Sequence, residues 1–162
     1  MKKILALVIA AVITTGAYAQ SNKEDVDLIQ AMYGKAKKEL VIEYMQFSTT
    51  EATAFWTTYD AFEIERKVLG RERISIISDY ADHYTTLDDI KAADLGKKIM
   101  DNNVALEKLN QKYFPKFSTA VGALKAAKYM QLELYMQTAV RMELQDNIPF
   151  INAVDKTKKD IQ

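Results

Sequence analysis

His83 is the single histidine of a 162-residue chain without cysteine, and those two counts bound its chemistry. Asp79 lies four residues earlier and Asp82 beside it. On a helix the four-residue step puts Asp79 and His83 on one face, where a metal ion can be held. One imidazole with carboxylates is a poor set for zinc, which favours several nitrogen or sulfur ligands, so His83 reads first as a surface residue near a helix end. Among the seven methionines, Met130, Met136 and Met142 are spaced by six, so each is turned about 240° from the last. Their thioethers diverge and read as core or groove fillers instead of a copper(I) site. The serines at 21, 48, 75, 78 and 118 sit in no Gly-x-Ser-x-Gly elbow, and the thiol nucleophile is ruled out by composition. Carboxylate pairs such as Glu63 with Glu65, or Asp88 with Asp89, are ordinary solvated helix residues, and no glycine-rich phosphate loop occurs. Neither enzyme activity nor a cofactor is expected.

The aromatic residues are the more suggestive chemistry. Nine tyrosines, six phenylalanines and one tryptophan are many for a thin helical protein. Phe55, Trp56, Tyr59 and Phe62, with Tyr129 and Tyr135 from a later helix, are the candidates for an apolar groove rimmed by Lys and Arg. Such a surface binds non-native chains, since apolar patches take the client while the charged rim keeps it soluble. The competing expectation is that these rings fill the seam between antiparallel helices or a dimer interface.

The elements that must position them are helical. The first nineteen residues read as an export signal: Met1-Lys2-Lys3, an uncharged run from Ile4 to Ala17, and an Ala-x-Ala site at Ala17-Tyr18-Ala19. That run is shorter than the roughly 20 residues that cross a bilayer. Residues 20–162 then form one domain, with a core over 25–150 and a polar tail over 152–162. Without Lys2 and Lys3 the 22 basic residues become 20 against 22 acidic, a balance that argues against nucleic acid as a partner. The domain is expected to be free in the periplasm and not embedded in a membrane.

Apolar residues recur at helical spacing in four segments. The first, from about Asp25 to Phe47, aligns Ile29, Tyr33, Ala36, Leu40, Tyr44 and Phe47, with Gly34 marking a close helix contact. Ser48 and Glu51 have the form of a capping box that opens a second helix, about Thr49 to Tyr84, striped by Phe55, Tyr59, Phe62, Leu69, Ile76 and Tyr80. Arg66 and Arg73 fall on that stripe, either snorkelling to water or buried against a glutamate on a facing helix. The third runs from about Leu87 to Phe114 through Leu95, Ile99, Leu106, Leu109 and Tyr113, interrupted by Asn102 and ended by Pro115. The fourth, about Val121 to Asn147, shows two apolar faces, one with Leu124, Tyr135 and Met142 and another with Met130, Leu134 and Leu144, so it is expected to be covered on both sides. The fold class is all-α: four helices including a long antiparallel hairpin, elongated.

A weak echo links two helix starts, Ser48 to Tyr59 and Gly122 to Glu133. With the signal and the cysteine-free helices, this resembles the Spy/CpxP-like periplasmic family, which carries two Leu-Thr-x-x-Gln motifs at helix starts. The first would be Phe47-Ser48-Thr49-Thr50-Glu51, with glutamate for glutamine. The second would be Val121-Gly122-Ala123-Leu124-Lys125, without the hydroxyl residue or the glutamine. The resemblance implies an elongated helical hairpin, often a homodimer, and roles in ATP-independent chaperoning, envelope-stress signalling or metal sensing. Partners on this reading are a non-native polypeptide or an envelope signalling protein. The alternative is a metal or small-ligand sensor feeding a membrane partner.

Overall fold

The computed structural model describes the backbone of residues 23–146 and 148, and side chains over 33–145 and 148. The expected signal at 1–19, Pro149 and the tail at 152–162 lie outside the described residues. Among the described residues four helices follow one another up and down: α1 Lys23–Met45, α2 Thr49–His83, α3 Asp89–Val121 and α4 Ala123–Asp146. No strand occurs among the described residues, and no described helix is long and apolar enough to cross a membrane. The protein is all-α.

Local chemistry sets the helix starts. Ser48 accepts from the Glu51 backbone N–H while Glu51 reaches back to the Ser48 N–H at 3.0 Å, so the capping box forms as its spacing predicts. Asp88 caps α3, accepting from the Lys91 N–H at 2.7 Å. From Thr49, α2 runs unbroken through Gly70 to His83 and spans about 52 Å at 1.5 Å per residue. It packs along α3 as the long antiparallel hairpin, with α4 against α3 and α1 against α4.

The third helix does not end at Pro115. It continues through the proline, and the stretch expected to be a link at 116–119 is its last turns. Phe117 is fully buried and Val121 nearly so. Burying them outweighs the lost backbone bond and ring clash of an internal proline, a cost of about 3 kcal/mol. The break falls instead at Gly122, whose φ of 81° is a conformation that side chains resist. There the chain reverses, with the Gly122 N–H donating to the Ser118 carbonyl at 2.9 Å.

Two further expectations are corrected by burial. On α1 the inward stripe is Lys37, Val41 and Met45, and Tyr44 lies largely in solvent. The apolar pattern was rotated because its innermost member is a lysine. On α4 the buried face is Ala126, Tyr129, Glu133, Met136 and Gln137, while Leu124, Leu134, Tyr135 and Met142 are exposed. Within the described chain α4 is therefore covered on one side only.

Candidate functional site: a self-neutralised core, an open cleft and an uncharged helix face

At the end of the bundle that holds the α1–α2 and α3–α4 turns, the aromatic residues interlock. Phe55 stacks against Phe47, Trp56, Tyr59, Phe117 and Tyr129 with ring centroids 4.5–5.7 Å apart, and Phe62 meets Tyr113, Phe117 and Tyr129. Of the six residues expected to line a groove, Phe55, Tyr59, Phe62 and Tyr129 are core residues in this fold. They fill the seam between helices, which is the other outcome the sequence left open. Trp56 is partly buried, with the Lys38 ammonium 4.7 Å from its ring. Only Tyr135 of the six stands out from the surface, 68 % exposed.

Inside that aromatic shell lies a charge cluster. The Lys37 ammonium, fully buried, donates to Glu63 of α2 at 2.5 Å and to Glu133 of α4 at 2.8 Å. Arg66 grips Glu63 through Nε at 2.7 Å and Nη2 at 2.9 Å. Tyr129 donates its hydroxyl to Glu133 at 3.1 Å, and Gln137 donates at 2.7 Å. Burial pushes the Glu63 carboxyl up, but Lys37 and Arg66 more than reverse this and hold it below the usual range. Burial works against the Arg66 cation, yet Glu63 binds it and leaves its pKa raised. The Tyr129 phenol is driven far above 10, first by burial and then by Glu133. Among the described residues Arg66 is thus hydrogen-bonded to a glutamate of its own helix, three residues back, while Glu133 on facing α4 attracts it through space.

Carboxylates projecting inward from facing helices are what helical bundles use to hold metals. Here an ammonium sits between the two carboxylates, so two cations and two anions neutralise one another. Among the described residues, no three His, Asp or Glu side chains converge on a metal position. His83 and Asp79 do come together, with Nδ1 3.1 Å from the carboxylate, but Lys91 holds that carboxylate at 2.7 Å. The Lys91 hydrogen bond keeps the Asp79 carboxyl below its ordinary pKa. A metal there must displace an ammonium.

At the other end of the bundle the interior opens. A cavity of about 290 Å³ lies between α2 and α3, closed on one side by the end of α4. Its walls are Ile76, Ile77 and Tyr80 from α2, Leu87, Ala92, Leu95, Gly96 and Ile99 around α3, and Gln145 and Ile148 beyond them. A methyl group added at Gly96 would meet nothing within 4 Å. Arg73 also lines this space. Its Nη1 donates to Asn103 at 2.7 Å and more weakly to Asn102 at 3.4 Å, while its Nε is buried and makes no hydrogen bond. Burial lowers the Arg73 pKa and the neighbouring Arg141 lowers it further. Among the described residues no carboxylate lies within ion-pair distance of it. Arg73 therefore neither snorkels free nor pairs with a facing glutamate: side-chain amides hold it.

The outer surface is uneven. The exposed side of α3 carries Asp94, Lys97, Lys98, Asp101, Glu107, Lys108, Lys112 and Lys116, with Ile90, Met100, Val104 and Phe114 exposed among them. Every exposed position of α4 from Ala123 to Gln145 is uncharged, and Leu124 at 86 %, Tyr135, Met142 and Leu134 stand along it at helical steps. The lysines of α4 fold back onto the bundle: Lys125 pairs with Glu51, and Lys128 donates to the Tyr44 carbonyl at 2.7 Å. Periodicity alone found these apolar residues but could not tell a second buried face from an open one. No known protein family, curated protein or solved structure matches the chain.

Proposed function

We propose that this chain is an exported, non-catalytic binding protein that holds apolar segments of non-native polypeptides on the outer face of α4. The observation that supports it most is that the most exposed positions of α4 carry no charge and its Lys125, Lys128, Arg141 and Glu143 are only part-exposed, while the exposed positions of neighbouring α3 carry many. A surface helix normally presents charged residues to water. An uncharged stripe that runs Leu124, Ala127, Gln131, Tyr135, Thr138 and Met142 at three- and four-residue steps, with Leu134 beside it, is a face against which an extended or helical apolar segment can pack, and the charged flank of α3 keeps the loaded complex soluble. The working residues move accordingly from the buried rings to Tyr135, Leu134, Leu124 and Met142. The resemblance to Spy/CpxP-like proteins points the same way, toward a chaperone or envelope-stress module in the periplasm.

The test is suppression of aggregation of a chemically unfolded client at near-stoichiometric ratio. The protein is expected to suppress light scattering, and Leu134→Glu with Tyr135→Glu to remove most of that effect with no change in helix content. Aggregation that proceeds unaltered with the unsubstituted protein rejects the proposal. An α4 face closed by a second copy of the chain would show as a dimer that the same double substitution splits, and would reject it too.

A further inference from the structure

We propose that the cavity between α2 and α3 is a binding site for a small monocarboxylate with an apolar body, its carboxylate on Arg73. This goes beyond the polypeptide reading and rests on a different region of the molecule.

The walls are mostly aliphatic, with Ile76, Ile77, Leu95 and Ile99 among them and Tyr80 and Gln145 adding polar groups, so whatever fills the space is apolar over most of its length. Its volume of about 290 Å³ accommodates a chain of several methylenes, such as that of an eight-carbon fatty acid. The space is also held open by composition. Gly96 and Ala92 stand on the α3 wall where larger residues would close it, and nothing lies within contact distance of a side chain begun at Gly96. Interiors elsewhere in the bundle are packed, as at Phe55 and Phe117.

One end of this apolar space is cationic. The Arg73 guanidinium is half-buried, has neutral amides for partners, and leaves Nε without one. A desolvated cation beside a second cation, Arg141, costs stability. A carboxylate at this end would supply the missing acceptor in the two-point fork that guanidinium favours. A neutral apolar ligand would leave that defect in place and an amine would worsen it. A dianion would bring a second charge into a space whose lining holds no second cation, since Arg141 acts on Arg73 from outside it. The polarity and size of the site thus select one class: a medium-chain fatty acid, or an aromatic carboxylate of the same bulk.

Calorimetry of the purified protein with sodium octanoate, below its micelle concentration, and with 1-octanol tests this. Octanoate is expected to bind one to one, at least about tenfold more tightly than the alcohol of equal length, the worth of one charge-assisted hydrogen bond. Arg73→Met should bring octanoate to the level of octanol. Gly96→Leu, which fills the cavity from a position with space for it, should abolish binding of both and raise Tm. No octanoate binding at millimolar concentration overturns the proposal, as does equal binding of acid and alcohol, or binding indifferent to Gly96→Leu. A dimer that Gly96→Leu dissociates would give the cavity to a second copy, and also overturns it. Loss of client suppression leaves this result untouched, and the reverse holds, so the two proposals fail separately.

Discussion

Lys37 and Arg73 are both basic residues sunk into the bundle, and they are treated in opposite ways. Lys37 has no exposed surface and two carboxylates at hydrogen-bond distance, drawn from α2 and α4. Arg73 has amides, a neighbouring arginine and a cavity. The first cation is complete within the chain. The second is not. A buried charge that its own fold neutralises acts on register and structural specificity, because removing one member strands the others. A buried charge left with neutral partners is a standing cost, and the fold retains it beside an opening through which a partner can enter.

The largest effect that separates the two is stability on removing each cation. Lys37→Met should cost about 3–5 kcal/mol, since Glu63 and Glu133 are left with one cation between them in the core, read as a fall in the urea midpoint. The charge-balanced pair Lys37→Met with Glu133→Gln leaves Glu63 on Arg66 and should recover most of that loss. If the single and double variants melt alike, the cluster is not acting as a unit and the contrast fails.

Next in size is the amide cradle. Asn102 is buried, donates to the Leu69 carbonyl at 3.0 Å and to Glu72 at 3.1 Å, and accepts from Arg73. Asn102→Ala should cost about 1–3 kcal/mol by leaving buried groups unpaired, and should weaken octanoate binding by freeing Arg73 to swing. Arg73→Met itself should move stability by no more than about 1 kcal/mol, in either direction. A loss as large as that of Lys37→Met would mean that Arg73 is structurally complete after all.

The same contrast explains what was readable in the residues. Ser48 and Glu51, or Asp88 and Lys91, act across three positions, so their caps are legible from spacing alone. The stripe Phe55, Tyr59, Phe62 is legible because apolar burial has a period. Lys37 was not, because periodicity counts apolar residues and a lysine votes for the surface. Its partner Glu133 lies 96 positions away, so only the folded packing of α1 on α4 brings them together. Pro115 misled for a related reason: its local cost is fixed, whereas the burial of Phe117 and Val121 that outweighs it depends on α2 and α4. The cavity was the least legible feature. Ile76, Leu95 and Ile99 read correctly as inward-facing, but nothing in their spacing says that the space between them stays unfilled.

The smallest effect sharpens the comparison by separating pairing from burial. Glu51 and Lys125 form a close ion pair between α2 and α4, as well made as that of Lys37 but in solvent. The Lys125 hydrogen bond, with help from the Ser48 N–H and hydroxyl, lowers the Glu51 carboxyl from 4.5 to about 2. A carboxyl depressed in the folded state contributes its stabilisation above the unfolded value, and loses it as pH falls from about 4.5 through about 2. Carboxyl NMR titration should therefore find Glu51 still ionised at pH 3, and Lys125→Met should raise its midpoint while the Ser48 hydrogen bonds keep it below 4.5. The urea midpoint at neutral pH should hardly move on that substitution, because solvent screens an exposed pair. A large stability loss there would place the strength of the Lys37 cluster in pairing alone, and burial would no longer distinguish the two ends of the bundle.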